Sequence, residues 1–150
     1  MGIFDFLKGS GKKVELETSD DVLDDLKFGN GILRAITKNG LYSDGVTSKF
    51  HAGTVTLRGT VPDQATREKI VLLAGNTVGV ERVDDQLEVV TPAPEAVFYT
   101  VKSGDTLSKI AKSQLGDAGK YPAIFEANRP MLENPDKIYP GQVLRIPSAS

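Results

Sequence analysis

The tract Thr91-Pro92-Ala93-Pro94-Glu95 constrains this chain more than any other feature. Two prolines so close together remove two backbone donors and fix φ at both positions, so the tract neither continues a helix nor enters the middle of a sheet. It runs extended and fairly stiff. Hydrophobic patterning stops before it and restarts after it. The chain therefore divides into a docking segment over 1–18, a first module over 19–90, a linker over 91–97 and a second module over 98–150. A module of about 50 residues is near the lower limit of independent stability. With no cysteine in the chain, no disulfide staples it. The second module is therefore expected to lean on the first.

The expected class is α+β throughout. Ile3, Phe4, Phe6 and Leu7 are too apolar for a free tail, and they read as a helical turn or extended plug that docks on the core. Gly9, Ser10 and Gly11 break any helix there. Ser19 followed by Asp20 and Asp21 starts a helix, with a capping hydroxyl and acids at the positive dipole end. Val22, Leu23 and Leu26 mark its apolar face, Gly29-Asn30-Gly31 should break or bend it, and Ile32, Leu33 and Ile36 carry it on to a cap at Asn39-Gly40. Val46, Ser48 and Phe50, then Val55 and Leu57, give a hairpin about His51-Ala52-Gly53. Asp63 caps a helix over Gln64–Ala74, ended by Gly75-Asn76, and Val80, Val83, Leu87 and Val89 belong to a last strand beyond Gly79. The second module reads as strand, helix, helix, strand: Phe98–Lys102, a helix carrying Leu107, Ile110 and Ala111, a helix near Tyr121–Asn128, and Val143–Pro147.

Several chemistries are disfavoured at this level. Net charge is −2 and no Lys/Arg run stands out. Nucleic-acid affinity rests on phosphate neutralisation, so no nucleic-acid partner is expected. Thiolate chemistry is excluded, and the single histidine, His51, excludes a multi-His metal site. His51 falls in the expected hairpin turn and no nucleophile elbow is present, so no enzyme is expected. Asp20-Asp21, Asp24-Asp25 and Asp84-Asp85 are adjacent pairs, which share neither a helix face nor a strand face. They read as solvated acidic surface. The start of the chain lacks a signal peptide's apolar run, since Asp5 interrupts it and Lys8 ends it. No stretch reaches the roughly 18 apolar residues of a membrane span. The expectation is a monomeric cytoplasmic protein with no membrane partner.

Two tracts of the second module, Tyr99-Thr100-Val101-Lys102-Ser103-Gly104-Asp105-Thr106-Leu107 and Ile138-Tyr139-Pro140-Gly141-Gln142-Val143-Leu144-Arg145-Ile146-Pro147, with Asn128 between them, resemble the LysM family. The first module is similar to a BON domain in Gly53-Thr54-Val55-Thr56-Leu57-Arg58-Gly59-Thr60-Val61 and Val78-Gly79-Val80-Glu81-Arg82-Val83. These resemblances imply a BON fold of helices with a three-stranded sheet and a βααβ LysM fold. A LysM groove elsewhere holds N-acetylglucosamine polymers, which here would place it between Gly104–Leu107 and Asn128–Tyr139. Asp105 or Thr106 reads as the cap of the module's first helix and Pro140-Gly141 as the turn into its final strand, and Asp105 and Asn128 also read simply as residues that cap helices and hold the loop. The pairing of the two modules resembles the small bacterial BON–LysM potassium-binding proteins, and it implies K⁺ as the ligand of a cytoplasmic sensor that compacts on binding. The alternatives are a LysM-type glycan binder at the cell wall and a stress-related adaptor. Weak glycan or protein contact at the groove is the further partnership the resemblance allows.

Given that implication, the site has to be sought in backbone atoms. K⁺ is large and weakly hydrated, and selective sites replace its water with neutral oxygens, often carbonyls. Helix C-termini offer free carbonyls and partial negative charge. Two segments qualify: the loop from Gly75 to Val80, and the bend from Leu7 to Lys12. The expected carbonyl ligands are those of Leu7, Ser10, Lys12, Gly75, Thr77 and Val80.

Overall fold

The structure, a computed structural model, describes residues 2–5, 22–41 and 45–147. Strand β1 (Gly2–Asp5) precedes helix α1 (Val22–Lys38); β2 (Thr47–His51) and β3 (Thr54–Asp63) follow, then α2 (Gln64–Gly75) and β4 (Arg82–Thr91). The second module consists of β5 (Val97–Thr100), α3 (Leu107–Leu115), a 3-10 turn (Ala118–Lys120), α4 (Tyr121–Ala127) and β6 (Val143–Ile146).

One sheet has the order β1-β4-β3-β2. The expected three strands are present, and the backbone of residues 2–5 adds a fourth by pairing antiparallel with β4, from Gly2 opposite Asp85 to Asp5 opposite Arg82. Extended pairing is thus how these residues dock. β3 and β4 run parallel, so a crossover must join them, and α2 is that crossover. β2 and β3 form the expected hairpin, with Ala52 and Gly53 both at positive φ (48° and 82°), as a two-residue type I′ turn requires.

The expected break in α1 does not occur: the helix is continuous for 17 residues. A Cβ on Gly29 would stand 2.8 Å from the Ser48 carbonyl oxygen, so that glycine permits close approach of α1 to β2 rather than a bend. The inward face is Phe28, Ile32 and Ile36, and Leu26 is 58% exposed, against the expectation that it faced the core. Phe28 takes the inward place and meets the Phe50 ring at 4.1 Å between centroids. The end is capped as expected: Gly40 N–H donates to Thr37 O and Leu41 N–H to Ile36 O, with Gly40 at φ 73°. The expected helix start at Ser19–Asp21 lies outside the described residues.

Core residues of the first module include Val55, Leu57, Ile70, Leu72, Val83 and Leu87. The second module buries Val101, Leu107, Ile110, Ile124, Leu132, Leu144 and Ile146 around β5 and β6, which pair antiparallel. Its turns follow the sequence reading. Thr106 caps α3 by accepting from Lys109 N–H, and Tyr139-Pro140-Gly141-Gln142 closes through Gln142 N–H to Tyr139 O with Gly141 at φ 89°. Among the described residues, no helix is long and apolar enough to cross a membrane.

Candidate functional site

The site begins with the way α2 starts and stops. Asp63, extended at its N-cap, accepts from Thr66 N–H at 2.8 Å. That bond, backbone donor to carboxylate, is the main reason the Asp63 carboxyl is held below its ordinary range. At the other end Asn76 is the C-cap, and its N–H still donates to Leu72 O at 2.9 Å. A trans peptide sets each C=O opposite the next N–H, so the Gly75 carbonyl points beyond the helix end. Thr77 N–H reaches Ala74 O at 3.2 Å, which sends the Asn76 carbonyl the same way. Oxygens leaving a helix C-terminus carry its partial negative charge.

A tight turn follows at once. Val80 N–H donates to Thr77 O at 3.1 Å, and Gly79 takes φ 97° at the position where type II turns need it. The Thr77 oxygen keeps its second lone pair. Thr77 Oγ1 donates back to Leu73 O at 2.9 Å, tying the turn to the helix. Beyond it, Glu81 N–H and Arg82 N–H both donate to Gly53 O. The Val80 N–H is thus spent on the turn, and the residue lies before β4, not in it as the spacing suggested, though it is fully buried. Gly75, Thr77 and Val80 are thus gathered in one short, pinned loop. Leu7, Ser10 and Lys12 lie outside the described residues.

The same helix carries two side chains that reach the second module. The Asn76 carboxamide bonds Val143 twice, Nδ2 to the carbonyl and Oδ1 from the N–H, each at 3.0 Å. Its Nδ2 also lies 3.3 Å from Met131 Sδ. Near the start of α2, the buried Glu68 carboxylate accepts from Arg145 Nε at 2.5 Å, from Ala96 N–H at 2.8 Å and from Gln64 Nε2 at 3.0 Å. It thereby holds β6, the linker and its own helix together. Val143, Phe98 and Met131 pack into the first module's core. Sequence reasoning missed both residues. Asn76 read as a helix stop, and nothing in Gln64-x-x-x-Glu68 announces burial.

The remaining candidates resolve into structural roles. Asp84 and Asp85 do point to opposite faces, but Asp85 is not solvated surface. It is buried beside Val83 and Leu87, paired with Arg67 Nε at 2.7 Å and accepting from Leu87 N–H at 3.1 Å, because α2 lays Arg67 over that face. His51 is 87% exposed at the side chain, with Nδ1 3.2 Å from Asp25. The Asp20-Asp21 pair and the Asp24 side chain lie outside the described residues. In the groove of the second module, Asp105 accepts from Tyr99 O–H at 2.7 Å and Lys102 N–H at 2.8 Å. These bonds, Tyr99 first, hold its carboxyl below the ordinary range. Asn128 accepts from Arg145 N–H and donates to Ile124 O and Arg145 O. Burial pushes the Tyr139 hydroxyl up to about 12. Asp105 and Asn128, which border the expected groove, are occupied in holding the module together.

Comparison with known proteins follows the same division. A LysM domain model matches residues 99–147 and a BON domain model matches residues 31–91. The potassium binding protein Kbp of Escherichia coli O6:H1 (strain CFT073) is 46% identical over 149 residues, covering 98% of this chain and 99% of that protein. An uncharacterized protein of Deinococcus radiodurans is 35% identical over 139 residues, covering 85% of this chain and 54% of its own length.

Proposed function

The chain, a BON domain followed by a LysM domain, belongs to the family of the potassium binding protein Kbp, and on that premise we propose that it binds K⁺ selectively, without catalysis, and compacts as it does so. The observation that carries this reading is the 46% identity maintained over 98% of the chain. The loop at the end of α2 supports it chemically. Neutral carbonyls at a helix C-terminus suit a large, weakly hydrated cation. A divalent ion would want carboxylates. In this reading the carbonyls of Gly75, Thr77 and Val80 supply one side of the site and those of Leu7, Ser10 and Lys12 the other, in a cytoplasmic sensor or buffer that acts as a monomer.

Thermal melting in matched NaCl, KCl, RbCl, CaCl₂ and MgCl₂ tests it. K⁺ and Rb⁺ should raise the midpoint well above its value in Na⁺, because a cage sized for K⁺ leaves Na⁺ under-coordinated. An ion at 100 times its Kd adds about 2.7 kcal/mol to the ordered state. Equal midpoints in all monovalent salts would remove the K⁺ reading. Chitin oligomers should leave the midpoint where it was, since Asp105 and Asn128 are engaged internally.

A further inference from the structure

Asn76 stands between two of the candidate carbonyl residues, Gly75 and Thr77, and it is 3% exposed. Its main chain belongs to the loop of the BON module, whereas its side chain belongs to the LysM module. A carboxamide that donates to the C=O and accepts from the N–H of one and the same residue has a single orientation about its last torsion. Both halves of this one are engaged by Val143 at 3.0 Å, the first residue of β6. The Val143 N–H is a buried donor that would be costly to leave unmade. A fixed side chain restricts φ and ψ at its own Cα, and those torsions set the relative tilt of the peptides on either side. Those peptides carry the Gly75 and Asn76 carbonyls, and the second leads directly into Thr77.

We propose that Asn76 is a positioning residue for the ion loop, through which Val143 of the LysM module sets the carbonyl geometry that distinguishes K⁺ from Na⁺. This rests on the K⁺ reading above. It is also more specific than docking in general, because the Glu68–Arg145 pair fastens the same two modules from the far end of α2 without touching the loop. The Asn76 bond should govern selectivity, and the Arg145 bond should not. Reciprocity follows from linkage: if Val143 favours the ion-competent loop, the ion must favour the Val143 bond by the same factor.

The experiment compares K⁺ and Na⁺ affinities, by calorimetric titration of the full chain, in Asn76→Ala, Val143→Pro, the double variant and Arg145→Met. Val143→Pro deletes the N–H from the LysM side while leaving the loop sequence intact, at a first strand position where proline is tolerated. Both single variants should lower the K⁺-to-Na⁺ affinity ratio at least tenfold. The double variant should lose little more than the worse single, and Arg145→Met should keep the ratio. A preserved ratio in Asn76→Ala overturns the inference, as does an equal loss in Arg145→Met. In the unaltered protein, which needs no variant to fold, K⁺ should slow hydrogen exchange at Val143 N–H relative to Na⁺, and an unchanged rate overturns the inference too. Absence of any K⁺ preference in the unaltered protein would instead remove the underlying reading, so the two failures are distinguishable.

Discussion

Asp63 and Asp105 carry their charges in folded environments that favour ionisation, each by bonds to a nearby donor. A carboxyl held below its ordinary value contributes stability that is fully present above the unfolded value near 3.8 and is lost as pH falls through the folded value. Unfolding midpoints should therefore drop on the acid side, and Asp63→Asn should flatten that limb while keeping most of the neutral-pH stability. Asp63→Ala should cost about 1 kcal/mol at pH 7, the usual worth of an N-cap. Denaturant melts from pH 2 to 7 read both effects. Residues with a local job were legible in the sequence: Asp63 and Thr106 precede helices, and Pro140-Gly141 dictates its turn. Asn76, Glu68 and Asp85 were not, because their partners lie far along the chain at Val143, Arg145 and Arg67. No local pattern marks a polar side chain whose donor arrives from another element.

At the scale of elements, the continuity of α1 shows how a propensity argument fails. Glycine weakens an isolated helix by roughly 1 kcal/mol relative to alanine. Here the space saved lets α1 lie directly on β2. Gly29→Ala should therefore destabilise by about 1–3 kcal/mol despite the better helix former, because the new Cβ meets backbone rather than a flexible side chain. Equilibrium urea unfolding gives the sign. The strand order was legible only in part. Alternation marked β2, β3 and β4 individually, but parallel pairing of β3 with β4 and the fourth strand at Gly2–Asp5 depend on non-local partners. That fourth strand also changes how the proposed ion site is to be probed. Removing residues 2–12 strips β1 from β4, so any loss of K⁺ binding would mix sheet damage with loss of candidate ligands. Substitutions at Ser10 or within 75–80 separate the two.

At the scale of the whole molecule, the joint between the modules includes, among the described residues, the Asn76–Val143 and Glu68–Arg145 fastenings and a few apolar side chains. Met131 is packed against both cores. The small second module packs on the first through this joint, and the expected readout is a single cooperative melt. Glu68→Ala removes the acceptor from Arg145 and from the Ala96 N–H. Breaking a buried pair from one side costs about 3 kcal/mol. Combined with Asn76→Ala it should split the calorimetric transition into two, the second module melting first, and K⁺ should then move only the transition of the first module. A single transition in that double variant would show that apolar packing alone couples the modules. The candidate site was legible as a class of place, a helix end followed by glycine, because carbonyl ligands carry no residue signature. Its connection to β6 required the fold.

The pairing of β1 with β4 also sets a schedule. Gly2 is translated roughly 80 residues before its partner Asp85. At about 5–20 residues per second, that leaves an interval of roughly 4–16 s during synthesis in which the strand has no native neighbour. Until then Ile3 and Phe4 form an apolar stretch with unpaired backbone, the kind of segment that nascent-chain chaperones hold. The sheet edge nearest the start of the chain thus cannot close until β4 has been made.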